Sequence, residues 1–71
     1  MQDLADEKLP ERIKAARERA GLSQQVLATR AGIGMRTLAR IEAGEDVRYS
    51  TLVALANALN IEVGALVAGA A

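Results

Sequence analysis

The side chains best equipped for chemistry in this chain are guanidinium groups. Between Arg12 and Arg40 stand seven basic residues, Arg12, Lys14, Arg17, Arg19, Arg30, Arg36 and Arg40, against the single acid Glu18. The wider block from Lys8 to Arg48 holds all nine bases and five acids, Glu11, Glu18, Glu42, Glu45 and Asp46. Met1 to Glu7 carries only the acids Asp3, Asp6 and Glu7, and Tyr49 to Ala71 only Glu62. The formal net charge of +0 is therefore the sum of opposed segments. A field of one sign on part of a small surface attracts a polyanion even where the whole molecule is neutral. Arginines that merely keep helices hydrated give the same count, so charge alone leaves both readings open.

Other chemistries are poorly supplied. The chain has no histidine and no cysteine, which removes disulfides, thiolate metal sites, the common zinc ligands and the usual imidazole acid or base. Glu42, Glu45 and Asp46 are the clustered acids, with no nucleophile in sight. The chain reads as a binding protein and not an enzyme, with no metal and no cofactor. Its 71 residues are 51% hydrophobic, with Tyr49 the one aromatic. That is a single small domain, able to hide about 60–65% of its unfolded surface, through aliphatic contacts. No uninterrupted apolar stretch approaches the roughly 18 residues of a membrane span, and the start lacks the basic-then-apolar order of a signal peptide. A cytoplasmic protein with no membrane partner is the expectation.

The elements that position these side chains are punctuated by capping residues and glycines. Pro10 suits the first position of a helix, where its missing amide has no partner to lose, and Glu11 suits the positive end of the dipole. Leu9, Ile13 and Ala16 or Arg17 follow at helical spacing, and Gly21 supplies a left-handed stop, which predicts a first helix over about 10–20. Ser23 predicts a cap for a second helix over 24–31, ended by Gly32. Ile33 reads as inward-facing in a tight connection. A third helix runs from Met35 to Glu42, closed by Ala43-Gly44. Leu38 and Ile41 point inward there, and Met35, Arg36, Ala39 and Arg40 share the other face. After a polar connection, Ser50 is expected to cap a fourth helix that ends at Leu59, with Leu52, Leu55, Ala56 and Leu59 as its apolar stripe and Asn60 as a left-handed terminator. Ile61 is expected to tuck inward, and Val63 to Val67 to form a short fifth helix weakened by Gly64. No segment alternates as a strand does, so the fold class is all-α. The organisation is an acidic leader over 1–8, a domain over 9–67 and a small-residue tail or linker over 68–71.

Two short helices meeting at a glycine-containing turn, the second exposing side chains that can reach base edges, meet the physical requirement for helix-turn-helix reading of a major groove. The ordered set Gly21-Leu22-Ser23-Gln24, Leu27-Ala28, Ala31-Gly32-Ile33, Thr37 to Gly44 and Leu52 to Ile61 resembles the lambda repressor-like DNA-binding domain shared by phage repressors, Cro proteins and the XRE group of bacterial regulators. The resemblance spans Arg17 to Leu66. It implies a compact five-helix domain that binds double-stranded DNA in transcriptional control, as a repressor, in the prokaryotic nucleoid or encoded by a phage. It also implies roles for named residues. Met35, Arg36, Ala39 and Arg40 fall where base-reading or base-adjacent side chains stand. Arginine can donate two bonds to guanine, whereas methionine or alanine can meet a thymine methyl. Gln24, Thr37, Arg48 and Tyr49 fall at phosphate-contacting positions, and Arg17 and Glu42 where an ion pair joins the first helix to the end of the third. Tyr49 could equally pack in the core, and Met35 sideways on the domain. Gly34 departs from the pattern, since a serine or threonine often caps the third helix at that position.

One such domain makes few base contacts, so a weak homodimer, or a dimer formed on DNA, over a pseudo-palindrome is expected. Val63, Leu66 and Val67 are candidates for its two-fold interface, or for closing the protomer's own core. The alternative reading keeps the fold as a protein-interaction or antitoxin-like module in which Arg36 and Arg40 are dispensable.

Overall fold

The computed structural model describes residues 4–68, with side chains from Lys8 to Ala68. Five helices follow one another: α1 Leu4–Arg19, α2 Gln24–Ala31, α3 Met35–Glu42, α4 Tyr49–Leu59 and α5 Val63–Ala68. No strand occurs among the described residues. The expectations for the far ends of the chain, residues 1–3 of the leader and 69–71 of the tail, lie outside the described residues.

Each helix end has a local cause. The Ser23 hydroxyl accepts from the Val26 amide at 3.1 Å, filling one of the orphan donors of α2. At the other end Gly32 takes the left-handed conformation with φ 75°, and its amide folds back to Thr29 O while that of Ile33 reaches Ala28 O. α3 starts at Gly34, which has capping dihedrals but no side chain to accept a bond. Asn60 ends α4 in the left-handed region at φ 63°, where its short polar side chain is tolerated better than most.

The core is aliphatic and central. Ile13, Leu27, Leu38 and Leu55 are fully buried, joined by Ala16, Ala28, Ile41, Leu52, Ala56 and Leu66. Every helix contributes to it. α2 packs on α3 and α4, and α1 packs on α3 and α5. Each fully buried leucine or isoleucine contributes about 1.5–3 kcal/mol. Leu38 and Ile41 therefore hold α3 by one side and leave its opposite side in solvent. Arg12 Nη1 donates to Val67 O, bonding α1 to the last turn of α5 where a cation is favoured by the helix dipole.

Three local expectations are corrected. The first helix begins at Leu4, so Pro10 lies inside it rather than at its start. Pro10 has no amide for the carbonyl four residues earlier, so the helix passes through it with that one bond missing. α4 begins at Tyr49, with Arg48 in the capping position and no side-chain cap bond, so Ser50 is a helical residue and not the cap. Ile61 is 37% exposed, because the turn after Asn60 directs it outward. Leu66 is 2% exposed and packs in the protomer's own core, the second of the two roles weighed for it.

The glycines make a direct test of this backbone. Gly64 lies in α5 with an ordinary negative φ and open space where a methyl group would stand, whereas Gly44 has φ 118°. Gly64→Ala is expected to raise stability by about 0.5–1 kcal/mol, and Gly44→Ala to lower it by about 1 kcal/mol or more. Thermal midpoints of the two variants check both signs.

Candidate nucleic-acid interface

α3 presents two unlike sides. Leu38 and Ile41 are buried, while Met35, Arg36, Thr37 and Arg40 are exposed and Ala39 is half-buried. The side chains at 35, 36, 39 and 40 share one face because three- and four-residue spacings bring them together. Met35 is 44% exposed, so it does not pack sideways into the domain. Beyond the end of α3, Thr37, Arg40, Arg48 and Thr51 line a shallow cleft of about 200 Å³ with the loop acids Glu45 and Asp46. Tyr49, at the first turn of α4, is 71% exposed and stands outside the core.

The orientation of this face is set by an ion pair. Arg17 Nε donates to Glu42 Oε2 at 2.7 Å and Arg17 Nη2 to Glu42 Oε1 at 3.1 Å, a bidentate clasp between α1 and the last residue of α3. Arg17 Nη1 donates to Leu22 O at 2.8 Å, so the same guanidinium also fixes the α1–α2 turn. Gln24 Nε2 donates to Glu42 Oε1 at 3.0 Å, which ties the start of α2 to the end of α3. The side chains of Arg17 and Glu42 are 11% and 4% exposed. No buried side-chain nitrogen or oxygen among the described residues lacks a hydrogen-bond partner.

Burial alone would raise the Glu42 carboxyl. Hydrogen bonds from Arg17 and Gln24, then the charges of Arg17 and Lys14, outweigh it and hold the group below its ordinary value of 4.5. The Arg17 guanidinium is pushed up, first by its hydrogen bond to Glu42 and against the effect of burial. Both shifts favour the charged pair.

Among the described residues this is the one ion pair, so Arg36, Arg40 and Arg48 carry no carboxylate partner within 4.0 Å. The arginines therefore divide by job. Arg12 and Arg17 are engaged in bonds within the domain, whereas those of α3 and the following loop are free to meet an anion. Charge counting along the chain does not separate these groups. It also carries no sign of the Arg12 bond to Val67, or of the two loop acids sharing a cleft with Arg40 and Arg48. Gln24 is half-buried at the first position of α2, close to that helix's free amides. Of the residues weighed for a two-fold contact, Val63 and Val67 are half-buried against the core.

A basic, half-apolar helix face held at a fixed angle to the start of a preceding helix is the arrangement of a groove-reading helix pair. The family model described as "Helix-turn-helix" matches residues 13–66. The chain belongs to this helix-turn-helix family, in its XRE-type branch. It is also similar to the crystal structure of the restriction-modification controller protein C.AhdI from Aeromonas hydrophila, with 31% identity and a TM-score of 0.83. The alignment covers 90% of this chain and 98% of that one. No curated protein matches the chain. α1 starts nine residues before the family match begins. No helix among the described residues is long and apolar enough to cross a membrane, and none of their acids cluster in a group able to hold a metal ion.

The clasp gives a pH dependence of known sign. Because the folded Glu42 carboxyl lies below its unfolded value, its contribution is complete above about pH 4.5 and is lost as pH falls through the folded value. The stability gap between the native protein and Glu42→Gln is expected to be full at pH 7 and to close under acid, in urea titrations across that range. Arg17→Ala leaves a buried carboxylate unpaired and is expected to cost about 3–5 kcal/mol. A domain of this size holds only about 4–11 kcal/mol in all, so that variant is close to unfolding at 37 °C.

Proposed function

We propose that this helix-turn-helix DNA-binding regulator reads a specific double-stranded sequence by laying α3 in the major groove. It acts by occupancy and as a repressor. The observation that carries the reading is the exposed Arg36–Arg40 face on a helix whose opposite side is locked by Leu38, Ile41 and the Glu42 clasp. Arg36 and Arg40 are the base readers, each able to donate two bonds to guanine O6 and N7, and Met35 and Ala39 meet thymine methyls. Gln24 and the free amides at the start of α2 hold one phosphate. The second hydrogen of the Gln24 amide remains for that purpose, since one is bonded to Glu42. Thr37, Arg48 and Tyr49 hold the backbone on the other side of the groove.

Two copies on a pseudo-palindrome supply the specificity that a single domain lacks, with half-sites about one helical turn apart. Weak self-association through the α5 end, strengthened on DNA, fits the small exposed remainder of Val63 and Val67 once Leu66 is buried. The similarity to a restriction-modification controller supports transcriptional control over the antitoxin-like alternative. The protein acts in the cytoplasm, at the DNA.

Selection of bound duplexes from a random library tests this reading. An enriched two-fold motif with at least one G·C pair in each half is expected. Arg36→Ala and Arg40→Ala are each expected to weaken binding to that motif about 5- to 150-fold, the equivalent of one lost bidentate contact. No enriched motif, or affinity unchanged in both variants, contradicts it.

A further inference from the structure

Lys14 is the cation at the clasp that no described hydrogen bond employs. It stands three residues before Arg17 on α1, a spacing that brings the two side chains to one side of the helix. From that side Arg17 reaches the end of α3 and clasps Glu42. Burial raises the Glu42 carboxyl, and the Lys14 ammonium is the last, after Arg17 and Gln24, of the groups that bring it down. Lys14 therefore lies beside the clasp without joining it. Its side chain is exposed and has no described carboxylate within 4.0 Å, although Glu11 and Glu18 occupy the neighbouring turns of α1. The clasp is complete without a second cation. Arg17 bonds both carboxylate oxygens, Gln24 adds a third bond, and no buried side-chain nitrogen or oxygen among the described residues lacks a partner. A like charge one turn from Arg17 repels it. Two cations against one carboxylate leave this corner, where α1, α2 and α3 meet, with an uncompensated positive charge in solvent.

We propose that Lys14 binds a DNA phosphate and is the contribution of α1 to the interface. The inference rests on the DNA reading above, in which Gln24 holds a phosphate while bonded to Glu42. Both side chains belong to the surroundings of one carboxylate, Gln24 through its 3.0 Å bond and Lys14 as the uncommitted charge one turn from Arg17. The phosphate contact of Lys14 accordingly falls with that of Gln24, on the side of the groove away from Thr37, Arg48 and Tyr49. A flexible four-carbon stem carries the ammonium, which meets a phosphate as a point charge and reads no base. Lys14 thus raises affinity for every sequence alike and leaves the choice of sequence to α3. The two bases at this corner have separate tasks: Arg17 directs the helix, and Lys14 holds the DNA against it.

The test is Lys14→Gln, compared with Lys14→Arg and Lys8→Gln, with affinity measured on the selected duplex and on a scrambled duplex of equal length over a range of salt. Both positions are exposed, and thermal midpoints verify the fold. Lys14→Gln is expected to weaken binding to both duplexes about 5- to 10-fold at about 0.1 M salt, and to flatten both salt slopes by about 0.9, one phosphate contact. Its preference for the selected duplex stays that of the native protein. Lys14→Arg keeps the charge and the native slopes. Lys8→Gln removes the same charge from a different face of α1 and leaves the slopes unchanged. Native slopes in Lys14→Gln overturn the proposal, and so does an equal flattening in Lys8→Gln, which assigns the effect to net charge. An enriched motif that Lys14→Gln binds as tightly as the native protein refutes this inference alone. If no motif is enriched and the native protein binds neither duplex, the DNA reading itself fails and takes this inference with it.

Discussion

A buried carboxylate at the end of α3 is the constraint around which the domain is arranged. Glu42 accepts two bonds from Arg17 and one from Gln24, and Arg17 spans on to Leu22 O. Four hydrogen bonds thus join α1, the α1–α2 turn, the start of α2 and the end of α3. Taking two charges out of water offsets much of their attraction, so the clasp contributes direction more than stability. Direction is what groove reading demands, because a bidentate arginine contact fails if the helix is misplaced by about 1 Å. The aliphatic core holds α3 against the domain, and the clasp sets where along its length and at what angle it is held.

The same clasp reorganises the charge balance. A neutral chain is a poor candidate for binding a polyanion on its net charge, and the basic middle segment restores the case only in part. Arg17 is committed to Glu42 and Arg12 to the last turn of α5. What remains at the α3 end is a small group of free guanidiniums, Arg36, Arg40 and Arg48, bordered by two acids. On the proposed reading, a surface of this kind depends less on counterion release than a strongly basic domain does, and more on directed bonds to base edges. Neutrality and specific recognition are then compatible features of one design.

The parts of the fold legible in the sequence are those fixed by local chemistry. The boundaries of α2 and the end of α3 follow from Ser23, Gly32 and the Ala43-Gly44 stop, since caps and left-handed residues act within a few positions of themselves. The shared face of 35, 36, 39 and 40 follows from helical spacing alone. α1 is harder to place, because Pro10 is an ordinary start signal and only the favourable residues ahead of it extend the helix. Ser50 misleads at α4 for a similar reason, as a good cap that lies past the position where the helix begins. Ile61 and Leu66 are both apolar, and only the path of the chain around Asn60 decides that one faces out and the other in. The pairing of Arg17 with Glu42 is legible through family resemblance alone. Charge counting cannot choose these two from nine bases and nine acids, because the choice is made by packing between residues 25 apart.

The central claim is that α3 enters the groove with its angle set by an undisturbed Arg17–Glu42–Gln24 clasp. A crystal structure of the protein on its selected duplex tests this most directly. Arg36 and Arg40 are expected on base edges in the major groove, Gln24 touching a phosphate while still bonded to Glu42, and Arg17 in the clasp. Arg17 released to a phosphate, or α3 lying outside the groove, would contradict it.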